Sequence, residues 1–167
     1  MAQARVAHAG AYGLPPVLPR GARILVLGSF PGVASLTAGR YYAHPRNHFW
    51  PVMGAILGEP LPAMSYDDRL ARLAARGIAL WDTIVACDRK GSSDQAIRHA
   101  LHAEVSRVQR ASPDIVAVAF NGNTAARAAP RWREAGYATV ALPSTSPAYT
   151  RPLAEKIEAW RALEAWL

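Results

Sequence analysis

The chain has 167 residues, 51% of them hydrophobic, enough for one domain with a real core, and no apolar run approaches the ~20 residues of a membrane helix. Nineteen basic against twelve acidic residues give a formal charge of +7, which favours a polyanionic partner. The single cysteine, Cys87, excludes an intrachain disulfide, a thiolate zinc site and a four-cysteine iron–sulfur cluster, so chemistry without metal or cofactor is expected, with Cys87 as a small buried residue.

The N-terminus MAQARVAHAG lacks the apolar centre of a secretory signal, which points to a cytoplasmic protein. Residues 1–22 contain Gly13, Pro15, Pro16, Pro19 and Gly21 and are predicted as an extended lead-in to a single domain over 23–167. Arg23 to Leu27 reads as a buried parallel strand. It feeds the loop GSFPGVASLTAGRYYAHPRNHFW, Gly28 to Trp50, which concentrates a glycine-proline turn, tandem tyrosines, two histidines and an asparagine.

Phe49, Trp50, Val52, Met53, Ile56 and Leu57 cluster as on a short helix, with Pro51 in its first turn and Gly58-Glu59-Pro60 after it. A second helix spans Tyr66 to Arg76, with Ser65 as N-cap and Gly77 closing it. Ile78 to Trp81 is the second strand. A polar turn over Asp88 to Ser93 precedes a helix expected from about Asp94, and another helix from Glu104-Val105 should end before Ser112-Pro113. The third strand is Ile115 to Phe120, a helix follows from Thr124, and Ala138 to Leu142 is the fourth strand. After the loop Pro143 to Pro152, the last helix carries Leu153, Ile157, Trp160 and Leu167 on one face.

Strands alternating with helices imply a three-layer α/β/α sandwich around a central four-stranded, mainly parallel sheet. Phe30, Asp82, Asn121 and Ser144 then all lie just beyond carboxyl ends of strands, where open α/β sheets bind ligands. Gly28 and Ser29 let backbone N–H groups approach a ligand closely. Tyr42 could stack on a nucleobase, whereas Tyr41 reads equally well as a packing residue. His44 and His48 have the i, i+4 spacing of metal ligands, but Pro45 argues against a helix there. Asn47 could serve chemistry or only fix the loop through bonds to backbone. Asp82 could orient a water or a base, or cap the next segment, and Asn121 with Gly122 makes a sharp strand-to-helix turn. Ser144, Thr145 and Ser146 offer hydroxyls for gripping phosphates.

The pattern GSFPG…YYAHPRNHFW, the segments ALWD and AFNGNTAA, and LPSTSPAY, in that order from Arg23 to the C-terminus, resemble the uracil-DNA glycosylase superfamily. Two departures mark the branch. Phe30 stands where mismatch glycosylases carry a water-positioning asparagine, and Leu142 precedes Pro143-Ser144 where uracil enzymes carry Asn or His. Phe30, HPRN and LPSTS together most resemble the hypoxanthine-DNA glycosylase branch. The resemblance implies a monofunctional, cofactor-free glycosylase of base-excision repair, a monomer acting near the nucleoid on damaged double- or single-stranded DNA. It implies Asn47 as the catalytic group, Tyr42 as the stacking aromatic and Asp82 at the base-reading position, where a carboxylate favours an N–H edge such as N1–H of hypoxanthine. His44 or His48 could donate to the leaving base. Phe30, Gly28, Ser29 and Asn121 join the base-binding set, and Ser35, Arg40, Arg46, Ser144, Thr145, Ser146 and Arg151 are the expected DNA contacts. A non-catalytic lesion binder, or a nucleoside enzyme on the same sheet, are the competing readings.

Overall fold

In the computed structural model, which describes residues 10–167, a four-stranded parallel sheet runs in the order β3-β2-β6-β7, with β2 Ile24–Gly28, β3 Ile78–Asp82, β6 Ala117–Asn121 and β7 Ala138–Leu142. The strands β2, β3 and β6 are buried along their whole length, as near-continuous apolar runs between two helical layers must be. Alternation sorts their side chains. Ile24, Val26, Ile78 and Leu80 pack against Phe49, Met53, Leu73 and Trp160 on one face, and Leu25, Leu27, Ala79 and Phe120 against Val108, Ala125 and Trp132 on the other. The architecture is therefore the three-layer α/β/α sandwich expected from the sequence.

The helices are α1 Val33–Ala38, α2 Phe49–Leu57, α3 Tyr66–Ala75, α4 Val105–Ala111, α5 Asn123–Ala126, α6 Ala129–Glu134 and α7 Leu153–Trp160, the last continued by a 3-10 turn at Arg161–Trp166. Ser65 caps α3 by accepting from Asp68 N–H, and Gly58 ends α2 in the left-handed region at φ 66°.

Two local expectations fail. The motif loop is not wholly irregular, because α1 forms inside it. The helix expected from Asp94 is a single 3-10 turn, Asp94–Ala96, followed by a strand, β5 Arg98–His102. That strand belongs to a second, antiparallel sheet ordered β1-β4-β5, with β1 Ala11–Tyr12 and β4 Ile84–Asp88. Its pairing explains the miss: β1 meets β4 through Ala11 and Cys87, far apart in sequence, and β4 meets β5 with register shifts, so no clean period of two exists to read. The lead-in is tied down as well. Val17 and Leu80 exchange N–H···O=C bonds of 2.8 and 2.9 Å at the edge of the central sheet. Cys87 is fully buried beside Phe30 and Ile84. Among the described residues no helix is long and apolar enough to cross a membrane.

Candidate active site

At the carboxyl ends of the parallel strands lies a cleft of about 680 Å³. Gly28 ends β2 directly opposite Asp82 at the end of β3, and Asn121 ends β6 opposite Leu142 at the end of β7. The loops beyond these positions bring together Gly28, Ser29, Phe30, Ser35, Tyr42, His44, Asn47, Asp82, Asn121, Ser144, Thr145 and Ser146, twelve of the residues singled out from sequence.

Asp82 is the electrostatic centre. Its residue is 5% exposed, and Oδ2 is buried without a hydrogen-bond partner. Oδ1 lies over Gly28, so close that a Cβ at position 28 would stand 2.5 Å from it. A side chain at position 28 could be accommodated only by moving the carboxyl. Burial pushes the Asp82 carboxyl up to about 7; the Asp94 carboxylate adds to the rise and the Arg89 guanidinium opposes it. At neutral pH the group divides between acid and carboxylate, so it can donate or accept, which widens the acceptor-only role expected from sequence.

Tyr42 holds a left-handed backbone at φ 55°, a conformation costing a non-glycine residue about 1–3 kcal/mol. Its ring stacks on Phe49 with centroids 3.9 Å apart and planes 7° from parallel. Its hydroxyl is buried beside Asn121; burial and then the Asp82 carboxylate raise the phenol's pKa against that contact, so it stays protonated. Tyr41 turns inward instead, donating its hydroxyl to Pro15 O at 2.8 Å under the loop.

Asn47 combines both of its sequence readings. Its Oδ1 accepts from Phe49 N–H at 2.9 Å at the start of α2, which fixes the amide's orientation and leaves Nδ2 as a donor on a cleft-lining residue. His44 Nδ1 accepts from Arg46 N–H at 3.1 Å, so in the neutral ring the proton is on Nε2. His48 does not line the cleft. It precedes α2, donates its backbone N–H to Thr145 O at 2.9 Å, and is kept neutral by burial and by the nearby Lys156 charge.

Asn121 serves the architecture of the site. Its Nδ2 donates to Thr145 Oγ1 and its Oδ1 accepts from Thr145 N–H, both at 2.9 Å and buried, locking the loop after β7 to the end of β6. Gly122 makes the turn into α5 at φ 98°. Ser144 Oγ accepts from Ser146 N–H and Ser146 Oγ from Ala148 N–H, leaving both hydroxyl protons free to donate. The fully buried Lys156 grips the same loop through Tyr149 O at 2.7 Å. Ser35 Oγ accepts from Ala43 N–H and so shapes the motif loop. Arg40, Arg46 and Arg151 do not line the cleft: Arg40 lies over the Tyr66 ring, Arg46 is exposed, and Arg151 pairs with Glu155 at 3.8 Å.

One wall was not foreseen. The β4–β5 connection brings Ser92, Ser93, Asp94 and Gln95 to the cleft. It is anchored by Ser29 Oγ donating to Asp94 at 2.7 Å and by Val33 N–H donating to Ser92 Oγ at 2.9 Å. Arg89 holds the turn from below, its guanidinium 4.9 Å from the Phe30 ring centroid and donating to Pro31 O. The only signal in the sequence was a Ser-Ser-Asp run, which by itself reads as a turn. Among the described residues no group of three His, Cys, Asp or Glu side chains is placed to hold a metal ion.

Residues 15–164 match the uracil DNA glycosylase superfamily. A hypoxanthine DNA glycosylase of Methanosarcina barkeri is 37% identical over 148 residues, 89% of this chain and 94% of that protein. One from Methanosarcina acetivorans is 36% identical over 90% of this chain and 96% of its own length. A solution NMR structure of a candidate uracil DNA glycosylase from Methanosarcina acetivorans superposes with a TM-score of 0.81 at 36% identity, covering 92% of this chain and 98% of that one. Sequence motifs, sheet order and these likenesses agree, and the chain belongs to the uracil DNA glycosylase superfamily.

Proposed function

We propose that the chain is a monofunctional DNA glycosylase that accepts a flipped, deaminated base, with hypoxanthine favoured over uracil or mismatched thymine, and hydrolyses its N-glycosidic bond. It acts as a monomer on damaged cellular DNA. The observation that carries this reading is the unpartnered Asp82 carboxyl, buried over Gly28 and joined in one cleft by Tyr42, His44 and Asn47. Leaving such a group without a hydrogen bond costs stability, and a purine edge offering both a carbonyl and an N–H would satisfy it in either protonation state.

In the reaction the C1′–N9 bond breaks with its electron pair leaving on the purine. Water then adds to C1′ and its proton passes to solvent or to the departing base. The transition state carries positive charge on the sugar and negative charge on the base. Asn47 Nδ2 is suited to orient the water or the base, and His44 Nε2–H to donate to the base as charge develops on it. Asp82 reads the base edge, and the ionised form accepts N1–H. Ser144 and Ser146 hydroxyls suit the phosphates. Neither lysine lines the cleft, which disfavours Schiff-base chemistry and supports simple hydrolysis.

The test uses oligonucleotides bearing a single hypoxanthine, xanthine, uracil or G·T site, scored for abasic-site formation. Release of hypoxanthine, with a loss of roughly 10²–10³-fold in single-turnover rate for Asn47→Ala and a smaller change in affinity, is expected. Intact strands with every lesion, despite tight binding, would instead identify a lesion-binding protein.

A further inference from the structure

A second groove of about 510 Å³ adjoins the cleft and shares Asp94 and Thr124 with it. It runs between the β4–β5 hairpin and the α5–α6 pair. Ile84, Ile97 and Ala100 give it an apolar side, and Arg127, Arg131 and His102 line it with cationic or protonatable groups. Both arginines are exposed, and neither guanidinium makes an ion pair, hydrogen bond or ring contact among the described residues. Elsewhere most arginines are engaged: Arg72 and Arg76 with Glu59, Arg161 with Glu158 and Glu164, Arg69 with backbone carbonyls. The one acid on the groove's lining, Asp94, sits at the margin shared with the cleft and accepts from Ser29 Oγ, so two unengaged guanidinium groups outnumber it and leave the groove with an excess of positive charge.

We infer that this groove carries the sugar–phosphate backbone of the DNA strand that delivers the flipped nucleotide, with Arg127 and Arg131 each neutralising a phosphate. A nucleotide inserted in the cleft leaves its neighbours at the cleft's margin, and the groove opens there past Thr124. Its mixed lining suits the backbone, whose deoxyribose presents apolar C–H surface between charged phosphates, and arginine matches phosphate in a bidentate fashion. The assignment rests on the glycosylase reading for the identity of the strand, but its electrostatic content stands apart from it.

The experiment compares salt-dependent binding to an undamaged duplex for the wild type, the Arg127→Ala/Arg131→Ala variant and an Arg20→Ala/Arg110→Ala control, whose residues line neither cavity and which removes the same charge. Losing two phosphate contacts makes the slope of log K against log[salt] shallower by about 1.8. The control retains the wild-type slope. A groove variant with an unchanged slope, or a control that shifts equally, overturns the inference. Arg127→Lys/Arg131→Lys keeps both charges and should retain the slope; its loss there refutes charge contact. Trimming the hypoxanthine-bearing strand on one side of the lesion should weaken the wild type but not the alanine variant. Groove-dependent loss on trimming the complementary strand overturns the strand assignment. Failure of the wild type to release any base defeats the glycosylase reading, while the salt comparison still tests the groove.

Discussion

Replacing Asp82 by Asn should stabilise the protein in a strongly pH-dependent way. The carboxyl titrates at 3.8 in an unstructured chain and at about 7 in the fold, where it is 5% exposed and Oδ2 has no partner. The folded state therefore binds the proton more tightly than the unfolded state. Stability relative to a neutral side chain is unaffected below pH 3.8, declines as pH rises between 3.8 and 7, and is lowest above 7. At about 1.4 kcal/mol for each pH unit of the gap, the deficit reaches about 4 kcal/mol. Asn keeps the shape and cannot ionise, so Asp82→Asn should exceed the wild type by about that amount at pH 8 and by far less at pH 5. With a urea m-value of roughly 2 kcal/mol/M, the midpoint difference at pH 8 is roughly 2 M. Urea unfolding of both proteins from pH 5 to 8.5 isolates the one group, since every other titration is common to the pair. A midpoint difference that stays flat across this range would show that Asp82 is solvated or paired in the fold, and the reasoning about its readiness for a base would collapse. The same titration should shape catalysis: if the ionised form accepts N1–H, single-turnover base release climbs with pH up to about 7 and then levels.

Gly28→Ala forces a methyl to within 2.5 Å of Asp82 Oδ1, so base release should drop at least about 100-fold while thermal unfolding reports a cost of about 1–3 kcal/mol; undiminished turnover would mean the carboxyl is free to move. Asn121→Ala leaves Thr145 N–H and Oγ1 without their partner, at about 1–3 kcal/mol for each orphaned group, and should raise hydrogen exchange at Thr145 and in the loop after β7; unaltered exchange would refute its bracing role. Tyr42→Phe removes a buried hydroxyl whose polar neighbour, Asn121, is already engaged with Thr145, so stability should change by no more than about 1 kcal/mol, and a larger destabilisation in urea would show that the hydroxyl is firmly bonded.

The amino-acid sequence by itself determined the layer architecture, because short, continuous apolar runs such as Ile24 to Leu27 and Ile78 to Trp81, alternating with helical patterns, fit buried parallel strands between two helical layers. It also determined which loops meet, since carboxyl ends of parallel strands share one edge by topology, and Gly28, Asp82, Asn121 and Ser144 do line one cleft. Helix limits at Phe49–Leu57 and Tyr66–Ala75 were legible from caps and glycines, which act locally.

What only the tertiary structure decided are the matters that depend on long-range pairing and on desolvation. The small sheet needs Ala11 beside Cys87 and Ile84 beside His102, and no local period announces a bulged ladder of that kind. With that hairpin misread, the Ser92 to Gln95 wall and the Arg127–Arg131 groove behind it had no place to appear. As sequence, Asn47 stood open between chemistry and loop bracing while Asn121 leaned toward the turn, and the hydrogen bonds draw the line between them: Asn121 has Oδ1 and Nδ2 both engaged with Thr145, whereas Asn47 spends only its oxygen on the chain. His48 was indistinguishable from His44 by spacing, yet of the two only His44 lines the cleft. The protonation of Asp82 followed the same rule, because a carboxyl's pKa depends on how much water and which charges surround it, and those are properties of the packed molecule rather than of the letter in the chain.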